Sequence, residues 1–269
     1  MTHPIAIITG ATSGLGRAYA SHLAKQGWDL LLTGRRNDRL ESIQKYLTRK
    51  YAIEVKICSA NLLDSNDLRL LINTINKLPT IDMLINNAGF GCREDFYTLP
   101  YSKQDQMLQV HITAASQLIH EIVPIMKKQN SGTIINVASL CAYLPAPLSY
   151  FYCSSKAFLV SLSECMHIDL HKHHIKVQAL CPGFIETEFH SRMGIKGAHS
   201  YIERKLLWMN EGEVVKSSVR HLTDTKVICI PGLINRLIYH IAHLLPKRLY
   251  YYLTAIQAQK LKANIVFEG

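Results

Sequence analysis

A short apolar run, Ile5-Ala6-Ile7-Ile8, opens directly into Thr9-Gly10-Ala11-Thr12-Ser13-Gly14-Leu15-Gly16. No other stretch of the chain limits the possible folds so sharply. The run before the turn reads as a buried strand, and Arg17-Ala18-Tyr19-Ala20-Ser21-His22-Leu23-Ala24 after it has the apolar spacing of a helix. Three glycines between them permit a tight turn, let backbone approach a phosphate and allow close helix–strand packing. The helix that begins there offers free N–H groups and a positive dipole end to a pyrophosphate.

Short apolar runs and amphipathic segments keep alternating, which predicts an α/β chain with a parallel sheet. Strands are expected near 4–9, 28–33, 53–58, 81–86, 132–138, 175–181 and 226–230. Helices are expected near 14–26, 38–50, 65–77, 102–129, 150–172 and 202–209, with more after 231. Asp38 followed by Glu41 has capping-box character and sets the start of the second helix. No repeat or Pro/Gly/Ser-rich linker divides the sequence, so residues 1–269 read as one domain.

A second constellation carries chemistry. In Tyr152-Cys153-Ser154-Ser155-Lys156 the phenol and the amine stand four positions apart on one helix face, and Ser139 lies thirteen residues upstream. A tyrosine with an ordinary pKa of about 10 is a poor acid or base at neutral pH, and a nearby ammonium favours its phenolate. A serine hydroxyl beside them can bind a carbonyl or alcohol oxygen. Further signals are Asn86-Asn87-Ala88-Gly89 after Met83-Leu84-Ile85, and Pro182-Gly183-Phe184-Ile185-Glu186-Thr187 after Val177-Gln178-Ala179-Leu180.

In this order and spacing the motifs resemble the short-chain dehydrogenase/reductase family over roughly residues 4–190. The resemblance implies a doubly wound Rossmann-type sheet of order 3-2-1-4-5-6-7 with helices on both faces. It implies hydride transfer to or from a nicotinamide, with Tyr152 as acid/base, Lys156 as its tuner and ribose ligand, and Ser139 as substrate holder. Dinucleotide contacts would come from Gly10, Thr12, Ser13, Gly14, Leu15 and Gly16, then from Asn87, Ala88 and Gly89. Pro182, Gly183, Ile185 and Thr187 would complete them. Asn61 stands where the family commonly has an Asp meeting the adenine amine.

The second strand ends Leu31-Leu32-Thr33-Gly34-Arg35-Arg36, without the acidic residue that binds ribose hydroxyls in NAD sites. Two guanidinium groups suit a 2′-phosphate, so NADP(H) is the expected cofactor. Arg35 is the stronger candidate; Arg36 also reads as a surface residue. One position departs from the family: the usual Val-Asn dipeptide of the long helix, whose asparagine supports a water linked to the lysine, is here Val110-His111. His111 either preserves that proton relay or packs against the sheet and breaks it.

Walls for a substrate are expected from Phe90, Leu140, Tyr143, Leu144, Pro145 and the apolar stretch 184–210, read as a lid. That stretch contains Phe184, Phe189, Met193, Tyr201, Leu206, Leu207, Trp208 and Met209. An apolar ketone, aldehyde, steroid-like or 3-oxoacyl compound fits such walls better than a sugar. The extension 231–269 resembles that of a bacterial-type subgroup, and its apolar residues recur at helical spacing with interspersed basic ones. It can cap the pocket, pack on a second subunit or rest on anionic lipid.

Composition bounds the rest. Hydrophobic residues make up 48% and charged residues 19%, which suits a packed core. The formal net charge of +10 comes without a nucleic-acid recognition motif. Seven cysteines without C-x-x-C spacing, Cys58, Cys141, Cys153 and Cys181 among them, read as small hydrophobes in a reducing compartment. His171-Lys172-His173-His174 reads as a cationic helix end and not as a metal site. No apolar stretch is long enough for a bilayer span and no signal-peptide layout is seen, so a cytoplasmic protein is expected. Homo-oligomers pairing through helices 102–129 and 150–172 are common in the family. The rival to an oxidoreductase is a nucleotide-binding protein that has lost turnover and acts through partners.

Overall fold

The structure, a computed structural model, describes residues 3–92, 95–189, 207–224 and 226–267. Its first half alternates β1 (Ile5–Thr9), α1 (Gly14–Lys25), β2 (Asp29–Gly34), α2 (Asn37–Tyr51), β3 (Val55–Ser59), α3 (Ser65–Ile75) and β4 (Met83–Asn86). There follow α4 (Tyr101–Leu108), α5 (Ala115–Gln129), β5 (Gly132–Val137), α6 (Tyr150–Leu170), β6 (Ile175–Leu180) and the two-residue strands β7 (Phe184–Ile185) and β8 (Trp208–Met209). The chain ends with α7 (Glu211–His221), β9 (Ile228–Cys229), α8 (Leu233–Leu244) and α9 (Lys247–Phe267).

Seven strands pair in parallel in the order β3-β2-β1-β4-β5-β6-β9, the order the sequence implied. Both faces are covered, so the inner strands are apolar almost without interruption; all five residues of β1 are buried. Successive side chains alternate between faces. Ile8 and Leu32 meet Tyr19 and Leu23 of α1 and Val214 of α7, whereas Ile7 and Leu31 meet Leu71 of α3 and Leu118 of α5. A polar clasp ties α1, α7 and β6 together on the first face. Tyr19 Oη donates to Ser218 Oγ at 2.6 Å, and Ser218 Oγ donates to Gln178 Oε1 at 2.5 Å.

The order reverses between β1 and β4, which opens a crevice beyond their C-terminal ends, the usual ligand position in such sheets. Asn87, just past β4, bridges this point: its Nδ2 donates to Thr9 O at 2.8 Å, and its N–H donates to Thr9 Oγ1 at 2.9 Å.

Four expectations change. The helix expected over 102–129 is interrupted by a π-helical stretch, Gln109–Ala114, which carries His111 between α4 and α5. Of the helix expected over 202–209, residues 202–206 lie outside the described residues, and Trp208–Met209 form a strand paired with β7. Helix α7 was not anticipated, although Asn210 caps it by accepting from Gly212 N at 2.8 Å. Helix α2 starts at Asn37 with Arg36 at the N-cap; Asn37 Nδ2, not a capping box from Asp38, reaches Glu41 Oε1 at 2.7 Å.

Candidate active site

Beyond the strand ends lies a cavity of about 1050 Å³, above the roughly 300–1,000 Å³ usual for one ligand. It runs from the glycine turn to the C-terminal helices. Every site residue expected from the sequence lines it except Gly16 and His111.

The end nearest β1 and β2 is built from backbone. Gly10 has φ +65°, and a Cβ there would stand 2.9 Å from Ala88 Cα. A side chain at Gly16 would overlap the carbonyl oxygen of Gly10, so Gly16 serves the helix–strand packing and not the cavity wall. Ser13 occupies the N-cap of α1 but makes no side-chain capping bond. The first-turn N–H groups therefore lack that partner, and Gly14 and Leu15 of that turn border the cavity.

Arg36 is anchored there. Its Nη2 donates to Thr12 Oγ1 at 2.8 Å and to Ser13 Oγ at 2.9 Å. The surface reading of Arg36 therefore gives way, while Arg35 is the exposed one of the pair. Glu188 bridges Arg36 at 3.1 Å and Arg39 at 2.8 Å, and the two guanidinium groups, Arg39 first, hold its carboxyl down to about 2. Asn61 is set by a local turn, its N–H donating to Asp67 Oδ2 at 2.8 Å. Free helix N–H groups and anchored guanidinium, with no acidic residue at the tip of β2, fit a dinucleotide carrying an extra phosphate.

At the middle of the cavity Ser139, Tyr152 and Lys156 converge. Helix α6 puts Tyr152 and Lys156 on one face, and Ser139 follows β5 and opens a 3₁₀ turn, Leu140–Ala142. The Ser139 hydroxyl borders the cavity with the Tyr152 phenol and accepts from Cys141 N at 3.2 Å. Lys156 Nζ donates to Val137 O at 2.7 Å and stands 5.8 Å from the centroid of the Tyr152 ring. Burial pulls Lys156 down to about 8, so it stays charged at pH 7.

The phenol behaves differently from the expectation. Burial, and after it the Cys141 thiol group, push Tyr152 well above the ordinary phenol value; the Ser139 hydroxyl pulls the other way. Lys156, bonded to the Val137 carbonyl, does not reverse this. Tyr152 is a neutral proton donor in this arrangement.

His111 is buried, and both of its ring nitrogens have partners. Nε2 accepts from Phe90 N at 3.0 Å, which leaves the proton on Nδ1 to be given to Ser155 Oγ at 2.9 Å. Ser155 Oγ in turn donates to the Tyr152 carbonyl oxygen at 2.9 Å. Burial, then the charge of Lys156, holds His111 well below the ordinary imidazole value, so the ring is neutral. Gly89 admits it: a Cβ there would lie 2.8 Å from Nε2.

A family model described as short chain dehydrogenase matches residues 4–196. The chain belongs to that family. A sulfoacetaldehyde reductase of Chromohalobacter salexigens is 34% identical over 193 residues, 68% of this chain and 72% of that protein. A very-long-chain 3-oxoacyl-CoA reductase of Anas platyrhynchos is 30% identical over 187 residues, 68% of this chain. The matched stretch spans only 60% of the length of that duck protein. Among solved structures, a short-chain dehydrogenase from Sphingobium yanoikuyae in complex with NADPH superposes with TM-score 0.79 at 25% identity, covering 96% of this chain and 95% of that one.

At the far end of this cavity the sequence reading is partly corrected. Phe90, Leu140, Leu144, Pro145, Phe184, Phe189 and Leu207 line it as expected. Tyr143 packs on Tyr239 instead, with ring centroids 4.8 Å apart, and Trp208 stacks on Phe184 at 5.3 Å. Met209 lies beside Gly232. Met193, Tyr201 and Leu206 lie outside the described residues. The extension also walls the cavity, one of the roles open to it, through Asn235, Ile238, Ala242 and Leu245, with Tyr250 and Thr254 of α9. Their helical spacing was visible, but nothing local said which face turned inward. Cys141 also lines the cavity, and the Cys153 side chain lowers its thiol from the ordinary value.

Proposed function

We propose that this chain is an NADP(H)-dependent oxidoreductase that interconverts a carbonyl and an alcohol on an apolar substrate: a ketone, an aldehyde, a steroid-like or a 3-oxoacyl compound. One observation carries the reading. Ser139, Tyr152 and Lys156 meet midway along a cavity with anchored guanidinium at one end and apolar helix faces at the other. The names of the relatives support a carbonyl substrate, and the NADPH bound in the Sphingobium structure supports the cofactor. Among the described lining residues the only cations are Arg35, Arg36 and Lys156, which favours an apolar substrate over an anion such as sulfoacetaldehyde.

When bound, NADP(H) supplies or accepts the hydride. Arg36 and Arg35 would hold the 2′-phosphate, and the first turn of α1, with Gly10, Thr12, Ser13, Gly14 and Leu15, the pyrophosphate. Asn61 would meet the adenine. Asn87, Ala88, Gly89, Pro182, Gly183, Ile185 and Thr187 would shape the nicotinamide end. Tyr152 gives its proton to the carbonyl oxygen, which Ser139 also holds, and the charged Lys156 compensates the phenolate left behind. Burial favours the neutral phenol, so the reduction direction starts from the state this fold already stabilises.

His111 acts in this reading as a positioning residue. Its neutral ring links the Phe90 backbone to Ser155 and through it to the Tyr152 backbone, which fixes the start of α6 without carrying a proton itself. Residues 1–269 form one catalytic unit, with 184–210 as lid and 231–269 as extension. The long helical segments over 102–129, which is α4 through α5, and over 150–172, which contains α6, are the expected surface for a homo-oligomer, dimer or tetramer.

NADPH oxidation against a panel of apolar carbonyls is the test, with Tyr152→Phe in parallel. General acid catalysis of this kind contributes about 10²–10⁴-fold, and the variant should lose that much turnover while still binding NADPH. A native chain that binds NADPH but turns over no carbonyl would favour the nucleotide-binding protein without turnover.

A further inference from the structure

Helix α8 has two apolar faces. Asn235, Ile238 and Ala242 border the cavity, with Ile241 at the rim. The opposite stripe faces solvent: Leu233 is 76% exposed, Leu237 59% and Leu244 84%. Helix α9 repeats the division, with Tyr250 and Thr254 on the cavity and Tyr251, Tyr252 and Leu253 outside. Tyr250 Oη donates to Pro145 O at 2.8 Å, so the start of α9 is fixed to the loop after Ser139. An apolar surface therefore runs unbroken from outside the molecule, over one helix, into the wall of the cavity. A patch of this kind marks an interaction site more often than ordinary surface.

Charge identifies what it meets. From residue 226 to residue 267 the sequence contains Lys226, Arg236, Lys247, Arg248, Lys260 and Lys262 and not one Asp or Glu. Arg236, Lys247 and Arg248 are exposed, and none forms an ion pair among the described residues. A two-fold contact with a second copy would set this basic patch against itself. An anionic bilayer offers the opposite charge together with an apolar interior, and tyrosines at its edge suit the headgroup level. Among the described residues no helix is long and apolar enough to cross a membrane, so the contact is parallel to the surface.

We propose that α8 and the first turns of α9 seat this protein on anionic lipid, with the cavity rim at Ile241 turned toward the acyl chains. Apolar substrate then enters from the bilayer instead of from water. The entry route rests on the function proposed above; the lipid contact does not.

Flotation with vesicles of phosphatidylcholine plus phosphatidylglycerol, compared with phosphatidylcholine alone, tests the contact on the full chain. The native protein should float with the anionic vesicles and lose most of that binding at high salt, because surface attraction decays over about 8 Å at physiological ionic strength. The double variant Leu237→Asp/Leu244→Asp should float at least about tenfold less, since each change places a charge in the stripe that meets the lipid. Both residues are exposed, so NADPH binding and thermal melting should match the native chain. A native protein that stays in the soluble fraction with anionic vesicles overturns the proposal. So does a double variant that floats equally well, or light scattering that finds a native dimer which the double variant breaks without any vesicle binding. Absence of carbonyl turnover would sink the enzyme reading and leave the flotation result standing, so the two failures are distinguishable.

Discussion

The two ends of the cavity are built in opposite ways. Around the glycine turn the wall is backbone, set by strands that pair residue for residue and by Asn87 stitched to Thr9. Around α8 and α9 the wall is side chain, hung on helices whose other face is exposed and held by a contact such as Tyr250 to Pro145. The first end tolerates one ligand shape; the second can be recut by changing a few side chains. A fixed dinucleotide end with a variable substrate end is what one chemistry applied to many carbonyls requires.

If that contrast is right, damage at the fixed end should be large and indifferent to substrate. Gly10→Ala forces a left-handed residue and a Cβ 2.9 Å from Ala88 Cα. Strain of about 1–2 kcal/mol and overlap of about 1–3 kcal/mol should weaken NADPH by roughly 30-fold or more, read by fluorescence titration. Arg36→Ala should follow. Loss of a charge-assisted contact, about 1.5–3 kcal/mol, weakens NADPH about 10- to 100-fold and leaves NADH almost unchanged. Equal losses for the two cofactors would remove Arg36 from the phosphate.

His111 lies at the border and gives a pH signature. Its folded pKa is depressed, so below about 6.5 the unfolded chain takes up a proton that the folded chain refuses. Stability is complete above that pH and is lost as pH falls, by up to about 1.4 kcal/mol per pH unit for this group. Urea melts between pH 7 and pH 5 should show the slope, and His111→Asn should flatten it. Lys156, depressed to about 8, works only in the alkaline window between there and its unfolded value, and does not confuse the acid test. The smallest effect is expected at the variable end. Tyr250→Phe removes one hydrogen bond, about 0.5–1.5 kcal/mol, and should raise KM by up to about tenfold with kcat unchanged. A fall in kcat instead would place the α9 contact nearer the chemistry than the comparison allows.

The same contrast explains what could be read from residues alone. Gly10, Gly14 and Gly16 announce themselves because a turn and its phosphate need are local, and Tyr152 with Lys156 because one helix face holds both. The π stretch around His111 could not be read, since the ring it carries is seated against Gly89, twenty-two positions earlier in the chain. The exchange of roles between Arg35 and Arg36 depended on hydroxyls at Thr12 and Ser13 across the turn. Nor could the inner face of α8 be chosen, because the residues that define it arrive from every earlier part of the chain. Helix α7 is hard to read for a simpler reason: its buried apolar positions are only Val214 and Val215.

Gly183 and Asn235 tie the two ends together. A side chain at 183 would collide with the Asn235 carboxamide, which is itself bound to Pro231 O at 2.9 Å. Any side chain introduced at position 183 would therefore require a change at Asn235, on the first of the final two helices. Diversification of this scaffold has to move in coordinated steps, with position 183 travelling beside the helix that carries Asn235.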